Sequence, residues 1–413
     1  MYDGPVRRSI VLIALVLGAC GGRAPEGASS EAGASESTSS GSTSEPTTTS
    51  ESSESETSEG EDETADPLDP FALPDCDYLE LPLPDSLDGA SAVTADFDAD
   101  GGTDLAVLRS GNPAQLQLWW GAGDGTLTPE PAIELDWSGR LELGDFNGDA
   151  RPDLIVFDAG SEFDLRVLLN LGGGSFDEAI ASHVDSLFYT FRVADIDGDG
   201  SDDISFGGFH SVPVRAALSA GGSFTVSWEL ALLACYATGS DWADFDDDGQ
   251  LDIAIVGGCN AGIEEPIVST WLGAGADFLQ IPEAGVSLGD GPRLFAADFD
   301  GDGLDDVATS ATWHVATLSL LRGQGDGRFA EREDLALPGT MSLVAKTDAN
   351  LDEIADVIVG DAWGTALYRG SPAGFVGCRL DEGRFRAVAN FDADPEPEIL
   401  TALDGAWTLL DAP

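Results

Sequence analysis

The chain has 413 residues, enough for one large core, and carries 76 acidic side chains against 18 basic ones, a net charge of −58. That balance excludes nucleic acid as an expected partner, because nucleic-acid binders need a basic footprint. The bases are nearly all arginine, and Lys346 is the only lysine.

Taken in order, the chain opens on Arg7 and Arg8 and an apolar run from Ile10 to Leu17. This predicts an export signal over residues 1–20, with an apolar run too short for a stable bilayer anchor. Leu17-Gly18-Ala19-Cys20 looks like a bacterial lipobox, which implies cleavage before Cys20 and a lipid on its thiol. An ordinary signal peptide with an incidental cysteine is the alternative. The arginine pair also resembles a twin-arginine signal. Residues 21–75 are rich in Gly, Ser, Thr and Glu, with twelve acids from Glu26 to Asp66 and no base between Arg23 and Arg109. Such a stretch buries no core and is expected to be a disordered, extended tether.

From Cys76 onward one phrase recurs. Its fullest copy is Asp298-Phe299-Asp300-Gly301-Asp302-Gly303-Leu304-Asp305-Asp306. Carboxylates at loop positions 1, 3, 5 and 9 can surround one hard cation with oxygen, and the glycine at position 6 allows the sharp turn. The other copies are Asp96, Asp98, Asp100, Asp104; Asp145, Asn147, Asp149, Asp153; Asp195, Asp197, Asp199, Asp203; Asp244, Asp246, Asp248, Asp252; and Asp348, Asn350, Asp352, Asp356. Asn390, Asp392, Asp394 and Glu398 form a worn seventh copy. The steps between first positions are 49, 50, 49, 54, 50 and 42 residues. An EF-hand would need flanking helices and an acid at position 12, where this chain has Val107, Phe206 or Thr309. Of the 28 ligand-type positions, all but Asn147, Asn350 and Asn390 are carboxylates, so 28 − 3 = 25 acids are packed into seven loops. Without metal these clusters repel one another, and folding is expected to depend on calcium.

Around each loop the sequence predicts four short strands. In the first repeat they are Ala92–Ala95, Leu105–Leu108, Leu116–Gly121 and Ala132–Leu135. A period near fifty residues with short strands and glycine turns predicts an all-β, seven-bladed propeller of four-stranded antiparallel blades over residues 76–413. The seventh unit stops after Trp407–Leu410, and Tyr78–Leu81 reads as an orphan fourth strand that completes it and closes the ring. If Cys20 is lipidated, four cysteines remain, an even number suited to an oxidising compartment. Three pairings are possible. Cys76–Cys378, in adjacent outer strands at the closure, and Cys235–Cys259, in neighbouring loops, are preferred.

These repeats resemble the FG-GAP/VCBS family, the calcium-loop propeller also seen at the head of integrin alpha chains. The resemblance is carried by the Asp-Phe-Asp-x-Asp-Gly loops. It is also carried by the glycine-aromatic runs Gly121–Gly125, Gly172–Phe176 and Gly323–Phe329. It implies structural Ca2+, about four to six ions, at positions 1, 3, 5 and 9, with a backbone carbonyl at 7. Ala150 and Glu353 replace the position-six glycine in two loops, which are expected to bind more weakly. Pro395 stands there in the seventh, and proline cannot take positive φ, so metal binding by the Asn390 loop stays open. The leader and tether look like those of outer-membrane lipoproteins, placing the chain at a Gram-negative cell surface as a monomer.

No metalloprotease helix motif, serine elbow or phosphate loop occurs, and the histidines are His183, His210 and His314. Catalysis is not expected. A propeller-fold polysaccharide lyase or hydrolase would need paired acids outside the loops, or His210 beside His314. The face opposite the metal loops is expected to hold Trp137, Arg140, Tyr189, His210, Tyr236, Trp242, Arg293, Trp313, His314, Trp363 and Arg384. Aromatics with Arg and His suit a protein or glycan contact. For each aromatic, filling a gap between blades is the plainer reading. The expected role is recognition or adhesion, with a calcium-dependent lectin as its sharper form.

Overall fold

The computed structural model describes residues 73–82, 91–137, 139–157, 164–177, 180–183, 190–207, 213–230, 236–258, 267–274, 277–281, 286–287, 293–311, 316–330, 332–361, 364–392, 394–404 and 406–411. The export signal, Cys20, the tether, Cys235, Cys259, Tyr189, His210, Trp313, His314 and Trp363 lie outside the described residues.

The described residues form strands and no helix, arranged as seven antiparallel sheets with four strands in the main path of each, beside a short two-stranded hairpin of Asn170–Gly172 and Ser175–Phe176. Blade 1 runs Ser91–Ala95, Asp104–Arg109, Ala114–Gly121 and Leu127–Pro129 from the inside outward. The inner strands of blades 2 to 7 are Arg140–Gly144, Thr190–Ala194, Tyr236–Ala243, Arg293–Ala297, Ser342–Thr347 and Arg384–Ala389. Each inner strand packs against those of the neighbouring blades, and Arg384–Ala389 packs against Ser91–Ala95. The chain is a seven-bladed β-propeller.

The second strands, such as Asp104–Arg109 and Asp153–Phe157, are buried almost end to end. Their continuous apolar runs suit a strand covered on both faces by adjacent blades. The residue at loop position 2 joins one blade to the next. Phe97 packs edge-on against Phe176, Phe146 against Phe224, Phe245 against Phe329 and Phe299 against Phe375, each pair with ring centres 5.4–5.9 Å apart. The second ring comes from the following blade, at or close after its glycine turn. Blade 1 departs from expectation at its outer edge. Leu127–Pro129 is its fourth strand, and Ile133–Leu135 pairs separately with Ala114–Leu116, because the long third strand has room for both.

Leu79–Pro82 lies antiparallel beside Ala406–Asp411 as the outer strand of blade 7, with Leu79 opposite Asp411. Cys76 is disulfide-bonded to Cys378 on the outer strand of blade 6, across 302 residues of sequence. Asp75 forms an ion pair with Arg379 beside it. A cross-link that closes so long a loop restricts the unfolded chain strongly, so replacing both Cys76 and Cys378 with serine is expected to cost about 2–4 kcal/mol in urea unfolding.

Candidate metal loops and the opposite face

Each acidic loop links an inner strand to its second strand. Loops of neighbouring blades touch: the Asp202 amide donates to the Asp145 carbonyl at 2.7 Å, and the Ala355 amide to the Asp298 carbonyl at 2.8 Å. The side chain at position 1 organises the turn. In six loops its Oδ2 accepts the amide of position 6 at 2.6–3.0 Å. Position 9 anchors the loop to the sheet. Asp104 accepts the amides of Phe97 and Gly121, both at 2.8 Å, and Asp153, Asp203, Asp252, Asp306 and Asp356 repeat the pattern.

In six of the loops two positions take positive φ. Position 6 is Gly101, Ala150, Gly200, Gly249, Gly303 and Glu353, and position 4 is Ala99, Gly148, Gly198, Asp247, Gly301 and Leu351. Ala150 and Glu353 hold φ of 61° and 70°, so the turn survives without glycine at a cost in backbone strain. Glu353→Gly is expected to stabilise the protein by about 1 kcal/mol in calcium, measured by thermal unfolding.

Carboxylate oxygens lie within 4.8 Å of one another in five loops: Asp96, Asp98 and Asp104; Asp195, Asp197 and Asp199; Asp244, Asp246 and Asp248; Asp298, Asp300 and Asp302; and, in the seventh loop, Asp392, Asp394 and Glu398 with Asp411. Asp246 Oδ1 is buried in its loop without a hydrogen-bond partner. A buried, unpaired carboxylate oxygen beside two other acids fits a cation ligand. In the Asp145 and Asp348 loops the position-three residue is asparagine. Asn147 and Asn350 turn their amide nitrogens to Asp149 and Asp352 at 2.9 and 3.0 Å. Arginines also enter two loops, Arg151 on Asp149 and Arg322 on Asp300.

The position-nine acids are the most perturbed. Burial pushes Asp104, Asp153, Asp203, Asp252 and Asp356 up to about 6, and Asp306 and Glu398 up to about 7. The backbone amides pull the other way, and the loop's other carboxylates add to the rise. These acids hold their protons to a higher pH than ordinary carboxylates, and a nearby cation would favour the ionised form.

The opposite face is partly described. Arg140, Arg293 and Arg384 are the first residues of three inner strands and reach solvent, with the Arg293 guanidinium tucked back to donate to the Leu343 carbonyl at 3.3 Å. Tyr236 likewise begins the inner strand of blade 4, and Trp137 is half-buried against blade 1. Trp242 is a correction. It is buried two residues before Asp244, its Nε1 donating to Ser205 Oγ at 2.8 Å and its ring tilted against Phe278. It packs between blades rather than on a ligand face, because the inner strand of blade 4 extends to Ala243.

Sequence reading missed a polar knot among the inner strands. Asp241 of blade 4 accepts Arg192 Nε of blade 3 at 3.1 Å, Lys346 Nζ of blade 6 at 3.2 Å and the Ala296 amide of blade 5 at 3.0 Å. Arg192 also reaches the Leu294 carbonyl at 2.9 Å, and Lys346 the Ala296 carbonyl at 2.6 Å. Nearby, burial and the charges of Arg140 and Arg192 lower the pKa of Arg293.

Residues 96–156 and 145–206 match the model of the FG-GAP-like repeat. The chain is a seven-bladed β-propeller that carries FG-GAP-like repeats over residues 96–206. No curated protein sequence matches it. Among solved structures it is similar to BBS1N in complex with ARL6DN. The mercury-soaked crystal gives TM-score 0.53 at 14% identity, covering 81% of this chain and 97% of that one. The lead-soaked crystal gives 0.51 at 13%, covering 84% and 95%. An Agrocybe aegerita lectin, described in a structure on recognition of non-reducing terminal N-acetylglucosamine, gives 0.48 at 16%, covering 75% and 88%. At such identities the likeness is one of fold.

Proposed function

We propose that this FG-GAP-type propeller is a calcium-stabilised recognition module, exported, lipid-anchored through Cys20 and presented at a bacterial surface on its acidic tether. The observation that carries this reading is the division of labour within each blade. Inner strands run into loops whose position-one carboxylates hold the turn, five of these loops gather carboxylates as a cation would need, and three inner strands begin with an arginine at the other end. With a cation bound, the loop acids have their oxygens committed to it, which makes them poor general acids or bases. The free face is therefore the one that meets a protein or glycan ligand, and a calcium-dependent lectin is the sharper version.

The test is to screen the full calcium-loaded chain against glycan arrays and immobilised surface proteins, beside the triple variant Arg140→Glu, Arg293→Glu, Arg384→Glu. Saturable binding that the variant loses supports recognition through this face. Release of reducing ends or unsaturated sugars from a polysaccharide would replace the reading with the lyase or hydrolase alternative.

A further inference from the structure

The seventh loop is built differently from the other six, and the difference creates a site. In blades 1 to 6 the position-nine aspartate satisfies both oxygens with backbone amides, one from the loop and one from the end of the third strand. In blade 7 that residue is Glu398, fully buried. Its Oε2 accepts the Phe391 amide, but its Oε1 is buried with no hydrogen-bond partner.

Opposite it stands a second acid. Ile399 pairs with Leu410, so the next step of the ladder sets Glu398 against Asp411 on the third strand. Asp411 Oδ1 is also buried without a partner. The same ladder step in blade 5 holds Arg322, which bonds to Asp300 of its own loop. A side chain at this step therefore reaches the loop, and blade 7 places a carboxylate there. Oxygens of Asp392, Asp394, Glu398 and Asp411 all lie within 4.8 Å of one another. Asn390, at position 1, instead turns its amide to the Asp394 carbonyl.

Two facing buried carboxylate oxygens without donors need a positive charge between them. We propose that blade 7 binds a divalent cation, calcium, through Asp392, Asp394, Glu398 and Asp411, with the third strand supplying the ligand that position 1 supplies elsewhere. This rests on the calcium reading of the other loops. All four ligands are hard oxygen donors, as calcium requires. The ion would tie the loop to Ala406–Asp411, the strand on which Leu79–Pro82 is laid, so it would brace that seam. The competing arrangement is a proton shared by Glu398 and Asp411.

The experiment counts calcium ions on the full chain by native mass spectrometry. It compares the wild type with Asp411→Asn, Glu398→Gln and, as a control in another loop, Asp298→Asn. The first two are near-isosteric, and Asp394→Asn, at a half-buried position, supplies a further variant if either fails to fold. Each blade 7 variant is expected to carry one ion fewer than the wild type. In chelator Asp411→Asn is expected to melt higher than the wild type, since it removes a facing acid, and in calcium to lose that advantage. If the blade 7 variants keep the full count while Asp298→Asn loses one ion, this site is overturned and the other loops stand. If the wild type carries no calcium, both readings fall.

Discussion

In chelator the melting temperature is expected to fall as pH rises from about 4 to about 8, and in calcium the slope is expected to reverse. Burial lifts seven loop acids to about 6 or 7 in the folded chain, above their ordinary range. Between the two values the folded state holds more protons than the unfolded state. Stability from these groups is then present at low pH and lost as pH rises through about 6 to 7. Calcium needs the deprotonated form, so its contribution grows over the same interval. Extracellular calcium modules bind with dissociation constants of about 10⁻⁴–10⁻³ M, so calcium at about 10 mM contributes about 1.4–2.7 kcal/mol per site. Four such sites would move the melting temperature at pH 8 by about 8–15 °C. Differential scanning calorimetry across pH, with calcium and with chelator, checks both slopes. Parallel pH profiles under the two conditions would remove the coupling between these acids and the ion.

The loops were legible because their chemistry is local and repeated: ligand spacing, the position-six turn and the apolar strand that follows are contiguous in sequence. The glycine-aromatic runs were legible for the same reason, and they supply rings for the edge-on pairs at Phe97 and Phe245. What was not legible depends on neighbours far along the chain. The left-handed turn at position 4 escaped notice because Ala99, Asp247 and Leu351 adopt it without glycine. Trp242 was misplaced because the inner strand of blade 4 runs to eight residues, carrying the ring into the packing between blades. Asp411 was missed because a ligand search along the loop does not look across a ladder to another strand. Arg192, Asp241 and Lys346 look like scattered charges in three strands until the ring brings those strands together.

Asp241→Ala is expected to cost about 3–5 kcal/mol, a large effect for one inner-strand side chain. Asp241 is 10% exposed at its side chain, and it takes a guanidinium, an ammonium and a backbone amide from three different blades. Removing it leaves the Ala296 amide without its acceptor, and Arg192 without its counter-charge and the acceptor of its Nε, in a water-poor place, although Arg192 keeps the Leu294 and Phe191 carbonyls. Lys346 suffers less, being 40% exposed and still bonded to the Ala296 carbonyl. Arg192→Leu alone should cost less than Asp241→Ala, because Asp241 keeps Lys346 and the amide. The double variant Asp241→Leu, Arg192→Leu should recover part of the loss, since it removes both charges rather than stranding one. Urea unfolding in saturating calcium measures the cycle without disturbing the metal loops. A loss under about 1 kcal/mol for Asp241→Ala would mean that the blades are held by their apolar contacts alone and that water already shares these charges. A large coupling would identify the knot as the device that fixes blades 3 to 6 against one another, a task the loop-to-loop bonds cannot perform at this depth of the inner strands.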